Sequence, residues 1–151
     1  SIPGLKNVVE MLGAIPLGQN LNENKEMIEC MNHRIKKNKG YVTIYPEAHI
    51  WPYYTGIRNF KSSSFGYPCY SNTPVFTMTN CYQKKVIGKH PKVVTFIDGP
   101  FYPDESLPMK DRKERLRNQC HDAMEKRAKE NSTYSYIIYE KKESNSESKE
   151  G

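Results

Sequence analysis

The sequence predicts an α/β domain built around a central sheet, and three observations predict it. Two segments repeat apolar residues at threes, fours and sevens, the spacing of a helix stripe. Between and around them lie short runs rich in β-branched and aromatic residues, the composition of buried strands. Gly, Pro and Asn punctuate the joints, and no internal repeat breaks the alternation. The 151 residues suffice for one domain with a real core and are short for two.

The elements follow in order. Residues 4–18 form an apolar opening, with Val8, Val9, Met11, Leu12 and Ile15, too broken to assign. Asn20 or Asn22 is placed to cap a helix, because a short side-chain acceptor satisfies free amides of the first turn. Leu21, Ile28, Met31 and Ile35, with Met27 alongside, then trace one stripe to about residue 38, and Gly40 stops it. Residues 41–45 are strand-like. A short helix is expected to start over 61–65 and to break at Gly66 and Pro68. Residues 74–79 and 92–97 are the second and third strands, the latter closing on a turn at Asp98-Gly99-Pro100. Pro108 suits the first turn of a helix whose stripe runs through Met109, Lys113, Leu116, Cys120 and Met124 to about residue 130. Residues 134–139 are read as a last strand. The charged segment 140–151, EKKESNSESKEG, has nothing to bury and is expected to be a disordered tail.

The net charge is +6, and the chain holds eleven tyrosines against one tryptophan. Burial must therefore rely partly on rings with a polar tip, and the charge favours anionic partners. Basic residues are densest at 34–39, where a helix end favours cations, and over 110–129, where acids interleave and indicate a solvated helix face. Cys30, Cys69, Cys81 and Cys120 make no Cys-x-x-Cys pair or zinc spacing, so free thiols are expected. No signal peptide is visible, and no apolar run approaches the ~20 residues that span a bilayer.

Functional groups in α/β folds gather at strand ends. Beyond the first predicted strand, YVTIYPEAHIWPYY (residues 41–54) sets Glu47 and His49 two apart, just before the single tryptophan, Trp51. Alternate residues of an extended segment share a face, so the pair suits a reaction centre, a substrate clamp or an ordinary strand exit. Trp51, Tyr53 and Tyr54 read as core or pocket wall, with an acyl-chain or membrane-interface contact as the other possibility. Downstream, GIRNFKSSSF (56–65) sets Arg58 and Lys61 three apart. Two cations near a carboxylate make either a phosphate-ester pocket or a surface salt bridge.

The run from 45 to 82 resembles the second half of a glycerolipid acyltransferase domain, the family that acylates glycerol-3-phosphate or lysophosphatidic acid. Tyr45-Pro46-Glu47 is similar to the opening of that family's third motif. Phe60-Lys61-Ser62-Ser63-Ser64-Phe65 matches its Phe-Lys-x-Gly-x-Phe-like segment, and Thr73-Pro74-Val75-Phe76 matches the strand that follows. The order and spacing of three elements carry the resemblance, which covers roughly residues 13–100. Ala48-His49-Ile50 stands where the family has Gly-Thr-Arg, which leaves Arg58 as the nearest substitute for the motif's phosphate-binding arginine. GAIPLGQ (13–19) falls at the second motif without that motif's arginine. The Pro-Glu-Ala-His form resembles a divergent bacterial branch.

The resemblance implies a mostly parallel central sheet flanked by helices, incomplete at its N-terminal side. It makes 1–139 the C-terminal portion of the acyltransferase domain. It further implies acyl transfer from acyl-CoA or acyl-carrier protein to the hydroxyl of a lysophospholipid or glycerol-phosphate acceptor, in phospholipid biosynthesis, without a metal or bound cofactor. Glu47, His49, Arg58 and Lys61 would bind the acceptor. The family's base lies in a His-x-x-x-x-Asp motif, but His33, His49, His90 and His121 are followed at that spacing by Asn38, Tyr54, Thr95 and Lys126. The base is therefore expected upstream of Ser1, and this chain alone is expected to be inactive. The expected location is the cytoplasmic face of a membrane, peripheral or anchored through upstream sequence. The rival reading is a non-catalytic module that grips anionic lipid or nucleic acid. Nucleic acid is not expected, because the interleaved charges of 110–130 do not form the continuous basic and aromatic surface it needs.

Overall fold

A computed structural model describes residues 20–140. The chain divides into two compact units, Ser1–Tyr45 and Pro46–Gly151. The apolar opening, the segment 13–19 and all of the expected tail except the exposed Glu140 lie outside the described residues.

In the first unit the described residues form one helix, α1 (Leu21–Asn32). Asn20 is the cap: its Oδ1 accepts from the Glu23 amide at 2.9 Å, while its Nδ2 donates to Glu23 Oε1 at 2.7 Å. Met27 and Met31 are buried, as the stripe predicts. The helix widens into a π-helical turn over His33–Lys37, in which the Asn38 amide reaches His33 O at 3.3 Å. Lys39 then takes a positive φ of 50°, and the Gly40 amide returns to Arg34 O at 2.9 Å, which closes the end. Residues 41–45 do not form the expected strand. They have no ladder partner among the described residues, and β-branched composition makes a strand only where a partner exists.

The second unit is an α/β arrangement of a hairpin on a long helix. A 3₁₀ turn (Ser62–Phe65) leads directly into α2 (Gly66–Ser71). Gly66 and Pro68 were expected to break this segment, yet both lie in the first turn, where a missing proline N–H breaks no intrahelical bond. Asn72 ends α2 with a left-handed φ of 48°, which asparagine tolerates.

β1 (Val75–Gln83) and β2 (Lys92–Phe101) pair antiparallel, with Met78 opposite Ile97 and Cys81 opposite Val94. The expected parallel arrangement is not what these two strands adopt. Their connection, 84–91, is shorter than the crossover of a dozen or more residues that parallel pairing requires. Nor does β2 stop at Asp98-Gly99-Pro100. It runs on through an irregularity in register opposite 75–77, where Gly99 holds φ +127° and a Cβ would meet Val75 O at 2.8 Å.

The inner face of β1, Thr77, Thr79 and Cys81, is buried, and the outer face leaves Phe76 and Met78 exposed. α3 (Met109–Asn131) lies against this hairpin, and its Leu116 and Cys120 join Phe60, Phe65 and Cys69 in the core. Val75, Phe101, Met109 and Met124 pack around that cluster. Residues 134–139, expected as a strand, are irregular. The amides of Thr133 and Tyr134 both donate to a single carbonyl, Tyr82 O, so no ladder propagates. No described helix is long and apolar enough to cross a membrane.

Candidate functional site

The segment from Pro46 to Lys61 has no regular structure, so its backbone groups must find other partners. It begins with a reversal. The His49 amide donates to Glu47 O at 2.7 Å across Ala48, whose φ is +62°, forming a tight γ-turn. Glu47 and His49 therefore do not share the face of an extended strand, contrary to the alternation expected from sequence.

Arg58 holds this turn. Its amide and its Nε both donate to Glu47 Oε2, at 3.2 and 3.3 Å. Its Nη2 donates to Glu47 O at 2.8 Å and also to His49 O. The guanidinium carbon lies 4.8 Å from the centroid of the Trp51 ring, a cation–π contact. The side chains are 19% (Arg58) and 28% (Glu47) exposed, so the pair is partly withdrawn from water without being sealed. Among the described residues, Arg58 Nη1 and Glu47 Oε1 make no hydrogen bond, and neither is a buried unpartnered atom. The pair thus presents a donor and an acceptor toward the surface.

The other two candidates fall elsewhere. His49 is exposed, and among the described residues it joins the cluster through its backbone amide and carbonyl. Lys61, at the start of the 3₁₀ turn, lines an open groove with Asn59, Phe60, Ser62, Glu114, Arg117 and Asn118, which neither Glu47 nor Arg58 lines. Arg117 anchors that groove, donating to Phe60 O at 2.9 Å and to the Asn59 side chain, with its guanidinium 5.1 Å from the Phe60 centroid.

Two ring clusters frame the segment. Trp51 stacks on Tyr139 at 5.0 Å and meets Tyr54 edge-on at 5.3 Å, and Tyr139 Oη donates to Pro52 O at 2.8 Å. On the other side, Tyr53 contacts Tyr82, His90 and Tyr136. Trp51 is 42% exposed, so it is a half-covered wall and not core. The sequence reading missed the contributions of Tyr139 and Tyr136; their density of aromatic residues just before the charged tail was the available signal.

Other titratable groups lie apart from the Glu47–Arg58 pair. Asp98 makes a bidentate pair with Arg127, whose Nη2 donates to Oδ1 at 2.7 Å and whose Nε lies 2.9 Å from Oδ2. Those hydrogen bonds hold its carboxyl below the usual aspartate range. Burial pushes the thiols of Cys69 and Cys81 up, and that of Cys120 up to about 12, so these are neutral packing groups. His121 packs edge-on against Phe60 with Nδ1 3.8 Å from Glu125. Comparison of the chain with family models, curated proteins and solved structures gives no match.

Proposed function

We propose that this chain carries the acceptor-binding part of an acyltransferase. The enzyme moves a fatty acyl group from acyl-CoA or acyl-carrier protein to the hydroxyl of a lysophospholipid or glycerol-phosphate-like acceptor. The observation that carries the reading is the Glu47–Arg58 pair. One edge of the guanidinium is fixed on Glu47 and two carbonyls, while Nη1 and Glu47 Oε1 make no hydrogen bond among the described residues. A glycerol phosphate offers the complement, since its phosphate oxygens accept from Nη1 and a neighbouring hydroxyl donates to Glu47 Oε1.

Glu47 offsets the charge of Arg58, so phosphate capture rests on directional donors more than on net charge. Lys61 adds positive potential from its own groove, and the His49 carbonyl positions the guanidinium. In the transfer itself, the acceptor oxygen attacks the thioester carbonyl, the C–S bond breaks, and the hydroxyl proton passes through a base to the thiolate. None of the four histidines is assigned that role; the reading takes the base from a His-x-x-x-x-Asp motif outside these residues. It also takes the hairpin and α3 as one part of a larger, mostly parallel sheet flanked by helices, working at the cytoplasmic face of a membrane.

Acyl transfer from palmitoyl-CoA to lysophosphatidic acid by the protein as encoded tests the proposal. Glu47→Gln should depress turnover far more than it lowers Tm. Equal losses of both would make Glu47 structural only, and a wild-type protein that acylates no glycerolipid acceptor would overturn the reading.

A further inference from the structure

We infer that the tip of the hairpin, residues 84–92, docks on the headgroup region of an anionic phospholipid bilayer. Val86 and Ile87 enter between the headgroups, and the surrounding lysines lie against the phosphates. Nothing in this assignment depends on acyl transfer at Glu47 and Arg58.

The tip is KKVIGKHPK, with four lysines, Lys84, Lys85, Lys89 and Lys92, and no acidic residue. Val86 is 101% and Ile87 87% exposed, so neither covers any other part of the chain. Gly88 turns the chain with φ +105°, and a Cβ there would meet nothing within 4 Å, which places the turn out in solvent. A single exposed aliphatic residue means little. Two adjacent branched ones at the turn of a hairpin, flanked along the chain by lysines and by no acidic residue, present an apolar point within a positive segment. One layer behind, His90 stacks with Tyr53 and contacts Tyr136, which fixes the base of the tip to the aromatic cluster. Tyrosine suits the depth of the headgroups, and the half-exposed Tyr136 is followed by the exposed Ile137 and Ile138.

The chemistry selects the occupant. Interfaces between proteins are depleted in lysine at their centres, and a convex tip offers no groove. Single-stranded nucleic acid requires stacking rings among the cations, whereas the apex holds branched aliphatics. An anionic bilayer uses both parts of the tip: cations gain from its negative surface potential, and aliphatic side chains gain from leaving water at the acyl boundary.

The test is co-sedimentation of the 151-residue chain with sucrose-loaded vesicles. One set is phosphatidylcholine alone, and the other is equal parts phosphatidylcholine and phosphatidylglycerol. The chain should partition strongly onto the mixed vesicles and weakly onto the neutral ones. Lys84→Gln with Lys85→Gln should weaken partitioning about 25-fold, at about fivefold per lysine. Val86→Ser with Ile87→Ser should weaken it on the order of tenfold, and this loss should persist at high salt while the lysine effect fades. All four positions are exposed, so Tm should not move. Three results would overturn the inference: no sedimentation with mixed vesicles, wild-type partitioning by the Val86/Ile87 variant, or displacement from vesicles by an oligonucleotide that binds the serine variant equally well.

Discussion

Beneath the hairpin, α3 buries Leu116 and Cys120 to 1% exposure against Phe60, Phe65 and Cys69, and the backbone is satisfied by helix and ladder. The loop from Pro46 to Lys61, in the same unit, has neither a ladder nor a continuous apolar face. Three of its carbonyls are met by arginine: Arg58 on Glu47 O and His49 O, Arg117 on Phe60 O. A third guanidinium, Arg112, does the same for the bend before α3, donating to Glu105 O and Leu107 O. Where the chain is regular, burial holds it; where it is irregular, a planar five-donor group gathers carbonyls that no strand partner reaches. The basic composition is thus partly structural, because three guanidiniums commit donors to backbone carbonyls.

The largest effect should come from breaking the apolar side. Leu116→Ala removes the most deeply placed aliphatic group of the cluster and should destabilise the protein by about 2–5 kcal/mol in chemical denaturation, since the surrounding rings relax only partly into the cavity. A loss below what an exposed leucine gives would show that the cluster around Phe60 and Phe65 is not the core.

Arg58→Ala should cost less, about 1–3 kcal/mol, because it removes the guanidinium donors from Glu47 O, His49 O and Glu47 Oε2 near a surface that water can reach, while the His49 amide and the amide of residue 58 still donate to Glu47. Its signature should be local. Amide exchange should accelerate across 46–60 while α3 keeps its protection, in contrast to Leu116→Ala, which should loosen both. Arg58→Lys should rescue poorly, because one ammonium cannot span Glu47 Oε2 and two carbonyls together. Full rescue by lysine would mean that charge, and not the fork, holds the turn.

Helix stripes were legible because they are local: the Met27 and Met31 face, and the Leu116 and Cys120 face, follow from spacing alone. The two β-branched runs were legible as strands, but not their direction or ends. β2 passes through Asp98-Gly99-Pro100 because Arg127, far along the chain, takes the carboxylate that otherwise reads as a turn former. The run at 41–45 has strand composition and no described partner. In the candidate site, the charges of Glu47 and Arg58 could be matched by eye, but the γ-turn could not. Nothing about alanine announces a φ of +62°, and that angle is imposed by the guanidinium that gathers the carbonyls on either side.

The smallest effect tests the seam between the regular elements, where Asp98 on β2 meets Arg127 on α3. Arg127 donates to both carboxylate oxygens, so the folded state holds the Asp98 carboxyl below the usual aspartate range. A lowered folded-state value means that the paired carboxylate adds stability in full above the unfolded value, about pH 4. That stability is lost as pH falls through the folded value. Asp98→Asn should therefore be less stable than wild type at neutral pH, and the two should converge as pH drops below about 4. Asp104, also lowered by its hydrogen bonds to Ser106, is common to both proteins and cancels in the difference. Because Arg127 is 37% exposed, added salt should shrink the gap. A difference in stability that stays constant from neutral to acid would show that Asp98 serves the seam as a packed side chain and not as an anion.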